Sequence, residues 1–251
     1  FAPWPDFERG LRDAGIPLYS LENRIPLGDF DVIGFSLLYE LNYSNVLTIL
    51  DLGGIPLMSA ERAEADPLVI AGGPAAFNPE PVADIFDLVF LGDGEEGFPE
   101  IVRAAADMRR RSVPRRTMLR ELARIDGVYV PSLYRPEAVE GSSLVVPRPV
   151  GEAPAVIRKR QLRDFARSFF PEKIVVPSLR VVFDRVAIEA ARGCPQSCRF
   201  CQASSLYFPH RPRDPAFICK TALRSLRQTG YEDASLSALS IGDHPHLEDE
   251  E

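Results

Sequence analysis

The sequence predicts an α/β fold built on a parallel sheet covered on both faces. Three observations carry this expectation. Short apolar runs alternate with helix-length amphipathic segments through the first hundred residues. Each apolar run ends in a polar or glycine-containing turn, at Ser36, at Gly72-Gly73-Pro74 and at Gly92-Asp93-Gly94. After a proline-rich middle, the alternation starts again near Leu179.

The elements follow in order. Phe7 to Ala14 reads as a helix, with Phe7 and Leu11 one turn apart and Gly15 as its cap. Asp31 to Leu37 (DVIGFSL) is a buried strand, rich in apolar and β-branched residues. Asn42 to Leu52 is helical, with apolar residues at 46, 49, 50 and 52. Pro67 to Ala71 is the next strand, Pro81 to Phe86 a short helix, and Leu88 to Leu91 a third strand. Phe98 to Arg111 is a helix. The arginine-rich run RRRSVPRRTMLRELAR, residues 109–124, reads as a solvated linker helix; it lacks the interleaved aromatics of a single-strand nucleic-acid site. From Gly127 to about Pro177 the pattern is irregular, with short β-like pieces at 128–130 and 144–146. Leu179 to Ala190 then reads as a strand, followed by a loop, a helix starting near Asp214 with Pro215 in its first turn, and a strand from Ala234 to Ser240.

Parallel sheets bind ligands at the carboxyl ends of their strands. Three turns on that edge, at Ser36, Gly72–Pro74 and Gly92–Gly94, favour a binding site there, because glycine lets a ligand approach the backbone. Composition narrows the partners. Lys and Arg number 29 against 36 Asp and Glu, a net charge of −7, which argues against general nucleic-acid binding. No apolar run reaches the roughly 18 residues of a membrane span, and no secretory leader pattern is seen. Four cysteines, three of them crowded together, do not form a disulfide framework. The expectation is a cytoplasmic protein with reduced thiols.

Those three cysteines lie in ARGCPQSCRFCQA, spaced C-x3-C-x2-C at Cys194, Cys198 and Cys201. Closely spaced thiolates bind soft metals. A structural zinc site wants four closed ligands, usually as two pairs, and there is no second pair here. Cys219 or His210 are candidates for a fourth ligand, although Cys219 reads as a core residue of its helix. A four-iron cluster normally takes four thiolates, so three leave one iron open for chemistry.

This spacing, with Phe200 just before the third cysteine, resembles the signature of radical S-adenosylmethionine enzymes. The words IEAARGCPQSCRFCQA, GGP at 72–74 and GDGEE at 92–96 resemble the cobalamin-binding-domain subgroup, within a poorly characterised bacterial family. The resemblance implies a Rossmann-like (flavodoxin-like) cobalamin-type domain over 1–103 lacking its first strand, a linker over 104–178, and the truncated start of a TIM-type radical barrel over 179–251. It implies that Cys194, Cys198 and Cys201 ligate a [4Fe–4S] cluster whose fourth iron takes S-adenosylmethionine. Reductive cleavage would then give a 5′-deoxyadenosyl radical acting on a substrate the sequence does not identify. Phe200 would pack beside the cluster, and Gly242 and Asp243 fall where the superfamily binds the methionine amino group. Ser36, Gly72, Gly73, Pro74, Gly92 and Gly94 would line the cofactor edge of the first domain. An electron donor of flavodoxin or ferredoxin type is implied as partner.

Three features depart from the resemblance. The histidines, His210, His244 and His246, all lie outside the first domain, so no histidine of that domain can ligate cobalt. Only about seventy residues follow Leu179, whereas a complete barrel takes about 200, so the chain alone is expected to be inactive. The sequence GDHPHLEDEE is also unusual after the second strand. The alternative reading is a non-catalytic zinc- or ligand-binding module.

Overall fold

The computed structural model describes residues 2–171, 173–179 and 181–246. The chain divides into two compact units, Phe1–Gln161 and Leu162–Glu251.

In the first unit, helix α1 (Pro5–Ala14) is followed by β1 (Val32–Ser36), α2 (Tyr43–Leu52), β2 (Leu68–Gly72) and β3 (Leu88–Phe90). Then come α3 (Gly94–Arg110), α4 (Arg115–Leu122) and β4 (Val128–Tyr129). Strands β1, β2 and β3 run parallel in that spatial order, and β4 closes the sheet antiparallel to β3. Successive side chains point to opposite faces. Leu68, Ile70, Leu88 and Phe90 meet Ile101, Ala105 and Met108 of α3 and Met118 and Leu122 of α4. Val69, Ala71 and Val89 meet Val46 and Leu50 of α2. Covering both faces explains why β2 reads as an unbroken apolar run.

Under the amino ends of β2 and β3 lies a buried ion cluster. Asp87 Oδ2 accepts from Arg62 Nη1 at 3.0 Å, Arg115 Nη2 at 2.8 Å and the Val69 amide at 2.8 Å. Arg115 Nε donates to Asp87 Oδ1 at 3.3 Å, and other guanidinium protons go to carbonyls of Pro56, Leu57 and Ile85, and of Ala63, Asp66 and Pro67. The arginine-rich run is therefore not simply a solvated linker: Arg115, Met118 and Leu122 are buried, because Asp87 and the α3 face need covering.

Several other boundaries differ from the sequence-based expectation. Residues 104–161, read as linker, belong to the first unit, where α4 and β4 complete its core. A hairpin of β5 (Tyr134–Ala138) and β6 (Val145–Pro149) follows β4. Helix α3 starts at Gly94, with Glu95 and Glu96 in its first turn, where carboxylates suit the positive helix end. The short helix expected at 81–86 is a 3-10 turn over Glu80–Ile85.

The second unit contains β7 (Val186–Glu189), β8 (Ala191–Arg192), α5 (Ala203–Leu206), β9 (Arg211–Pro212), α6 (Pro215–Thr229) and β10 (Ala234–Ser237). Strands β7 and β10 pair in parallel across α6, a βαβ unit. Val186, Ile188 and Ala190 alternate inward onto Ile218 of α6. Asp214 caps α6 through its side chain, which accepts from the Phe217 amide, and Pro215 takes the first helical position. The strand is shorter than its apolar run: Val181, Val182 and Phe183 are exposed and precede it. Cys219, expected in the core, is exposed; Ile218 is the residue that turns inward.

Candidate functional site

The cysteine loop is built between the two short strands β8 and β9. They pair antiparallel, Ala191 with Pro212 and Arg192 with Arg211, so the loop's two ends meet at a narrow neck. Gly193 enters the loop at φ +95°, and a Cβ there would lie 2.7 Å from the Pro209 carbonyl oxygen, so the turn excludes a side chain. All three cysteines of the loop are free; Cys194 is half-buried, Cys198 and Cys201 exposed. The Cys201 amide donates to the Cys198 carbonyl at 3.1 Å, and α5 begins two residues later. Phe200 is 91% exposed, its ring projecting from the loop rather than covering it. Among the described residues no three His, Cys, Asp or Glu side chains are gathered as a ready ligand set.

The loop is tied to the turn after β10. Gln196 Nε2 donates to both Asp243 oxygens, at 3.1 and 2.9 Å, and the Ser240 hydroxyl donates to Asp243 Oδ2 at 2.6 Å. These bonds, Gln196 first, hold the Asp243 carboxyl below its ordinary range. Next to it, Gly242 has open space where a Cβ would stand. The structure thus brings the Cys194–Cys198 segment together with Asp243. Sequence reasoning missed Gln196, since a lone Gln between two cysteines carries no motif.

It also missed the packing at the neck. The buried Phe165 ring lies 4.8, 5.4 and 4.4 Å from the guanidinium carbons of Arg192, Arg211 and Arg213. Glu189 accepts from Arg192 in bidentate fashion, both distances 2.9 Å, and lies 3.7 Å from Arg213. The available signal was the Arg-Pro-Arg stretch at 211–213.

In the first unit, Ser36 and Gly72 are register partners, so Ser36, Gly72, Gly73 and Pro74 share the carboxyl edge with the turn after β3. The closest approaches at its glycines are to the chain itself. A Cβ on Gly73 would meet Leu37 backbone at 2.8 Å, and one on Gly92 would collide with the Arg160 backbone, which bridges there. Gly94 has open space and starts α3. Beside β1 opens a cavity of about 910 Å³, lined by Trp4, Phe7, Phe35, Ser36, Asn45 and Ile49 among others.

A parallel α/β unit and a βαβ unit with a three-cysteine loop between its first strand and helix are the arrangement that the resemblance to radical S-adenosylmethionine proteins implied. The family model for radical SAM proteins, N-terminal, matches residues 1–131, and the chain belongs to that family. An uncharacterized protein of Methanocaldococcus jannaschii is 24% identical over 246 residues, covering 94% of this chain and 44% of that protein. The structure of the radical S-adenosylmethionine methyltransferase TsrM from Kitasatospora setae, with tryptophan substrate and a SAM analogue bound, matches with a TM-score of 0.50 at 16% identity. That match covers 97% of this chain and 41% of TsrM and is a likeness of fold. The chain thus spans less than half the length of either protein.

Proposed function

We propose that this chain carries the cluster-binding loop of a radical S-adenosylmethionine enzyme. The observation that carries the reading is the loop itself: three free thiols between β7 and α6 of a βαβ unit, in a chain of this family. The donor set fits an iron–sulfur cluster with one open iron, three soft sulfurs and no fourth cysteine on the loop. Bound with S-adenosylmethionine, such a cluster supplies reductive cleavage of the sulfonium and hydrogen abstraction from a substrate.

The chain's own groups take defined parts. Cys194, Cys198 and Cys201 would hold the iron, the exposed loop drawing its thiols together as it does so. Asp243, kept ionised by Gln196 and Ser240, offers an acceptor for an ammonium group, and Gly242 leaves the approach open. Phe200 has the freedom to fold over a bound cluster and exclude water. We assign the electron to a flavodoxin- or ferredoxin-type donor in a reducing compartment such as the cytoplasm. Among the described residues no helix is long and apolar enough to cross a membrane.

For cobalamin the first unit offers the cavity beside β1 but no imidazole, since His210, His244 and His246 all belong to the second unit. Cobalamin held in the first unit would find no histidine of that unit to ligate its cobalt. The primary test is anaerobic reconstitution with iron and sulfide. About four of each per chain is expected, with a broad band near about 400 nm that dithionite bleaches, and Cys198→Ala should lose the band. Stoichiometric zinc with no such band would overturn the reading.

A further inference from the structure

We infer that Phe165 is a positioning residue for the cysteine loop: its ring is the platform on which both ends of the loop's neck are stacked. The inference rests on the cysteine loop being the cluster site, but its geometry stands apart from that reading.

The loop leaves the fold through Arg192 and returns through Arg211 to Arg213. Two residues of backbone pairing on each side close that neck, too short a ladder to hold eighteen residues of loop by itself. The Phe165 ring supplies the rest. It is 3% exposed and carries a guanidinium from the outgoing strand, one from the returning strand and one from Arg213 just after it within cation–π reach. Arg213 Nη1 also donates to the Phe165 carbonyl at 3.2 Å and the Ser168 carbonyl at 2.9 Å. Its own amide donates to the Ala190 carbonyl at 2.8 Å, at the end of β7. Arg213 also lies over Phe170 and Phe217. The residues before β7, read from sequence as linker, are thus part of the loop's mounting. Losing the ring would leave the strand pair β7–β10 intact and free the neck. The cysteines would then lose their fixed origin, and the entropy of ordering the loop would fall on cluster binding.

The test uses hydrogen–deuterium exchange on the chain without iron, comparing Phe165→Ala, Phe165→Leu and Phe165→Tyr with the unaltered protein. Leu keeps apolar volume without a π face, and Tyr keeps the ring. In the Ala and Leu variants, the Arg211 and Arg213 amides are expected to exchange about tenfold faster, while 186–189 and 234–237 stay protected; Tyr should restore the neck. Unchanged exchange at the Arg211 and Arg213 amides in Phe165→Leu would overturn the inference. So would uniform loss of protection in Ala and Leu alike, since Phe165 would then be an ordinary core residue. In parallel, iron and sulfide retained after reconstitution should fall about fivefold in Phe165→Leu and recover in Phe165→Tyr. If the unaltered chain takes up no iron–sulfide, the functional reading fails while the exchange result still decides the role of Phe165.

Discussion

The two units hold their key segments by unequal means. In the first, the sheet is packed on both faces, and the strand ends are fixed by Asp87 between two buried arginines. In the second, the apolar cluster against α6 holds four buried residues among those described, and the chemistry-bearing loop is largely exposed and held at its neck. The difference separates a framework, whose buried Asp87 is matched by two arginines, from a loop left adaptable for a ligand that would complete it.

Four experiments bear on that contrast. The largest effect is expected from Asp87→Ala. It strands two buried guanidinium groups and should cost about 3–5 kcal/mol in chemical denaturation; a loss below about 1 kcal/mol would mean the cluster is not the framework's anchor. Core truncation compares the units directly. Ile70→Ala should cost about 4 kcal/mol and Ile188→Ala about 2, the smaller core collapsing more readily onto the gap. Equal costs would break the comparison.

The third experiment raises the pH. Burial, then the hydrogen bond to Glu80, pushes the Tyr129 hydroxyl well above its ordinary value. A group raised in the folded state stabilises fully below its unfolded pKa, and that stability is lost as pH rises past about 10. The first unit should therefore weaken in alkali, and Tyr129→Phe should flatten the dependence in pH-resolved melts. The smallest effect on stability is expected from Gln196→Ala, under about 1 kcal/mol. It should nevertheless raise the Asp243 pKa toward the ordinary carboxylate range in an NMR titration. The sign follows from the depressed folded value: the Asp243 contacts contribute above the unfolded pKa and are lost as pH falls through the folded one. An unshifted Asp243 in the variant would detach the loop from the β10 turn.

Much of this contrast was legible in the sequence, and the reasons for the rest are physical. Val186, Ile188 and Ala190 alternate visibly because one face is buried, and the run at 68–71 is unbroken because both are. Asp214 and Pro215 announce α6 through local capping chemistry. Arg115 could not be read as buried, since its partner Asp87 is distant in sequence and a run of arginines is usually solvated. Gly73 and Gly92 were read as openings for a ligand; the backbones of Leu37 and Arg160 are what press on them, contacts no local pattern records. Cys219 was placed inward from its neighbour Ile218, but adjacent helical positions point about 100° apart. The three cysteines stood out in the sequence because thiols at that spacing have few other uses, while the pairing of β8 with β9 that closes their loop joins residues far apart in sequence.

The most direct measurement is the Mössbauer spectrum of the ⁵⁷Fe-reconstituted chain before and after adding S-adenosylmethionine or cyanide. Three thiolate ligands predict that one iron of about four changes its signal on addition while the others do not. A spectrum that stays unchanged, with the irons equivalent throughout, would mean a closed four-ligand site and would contradict the account.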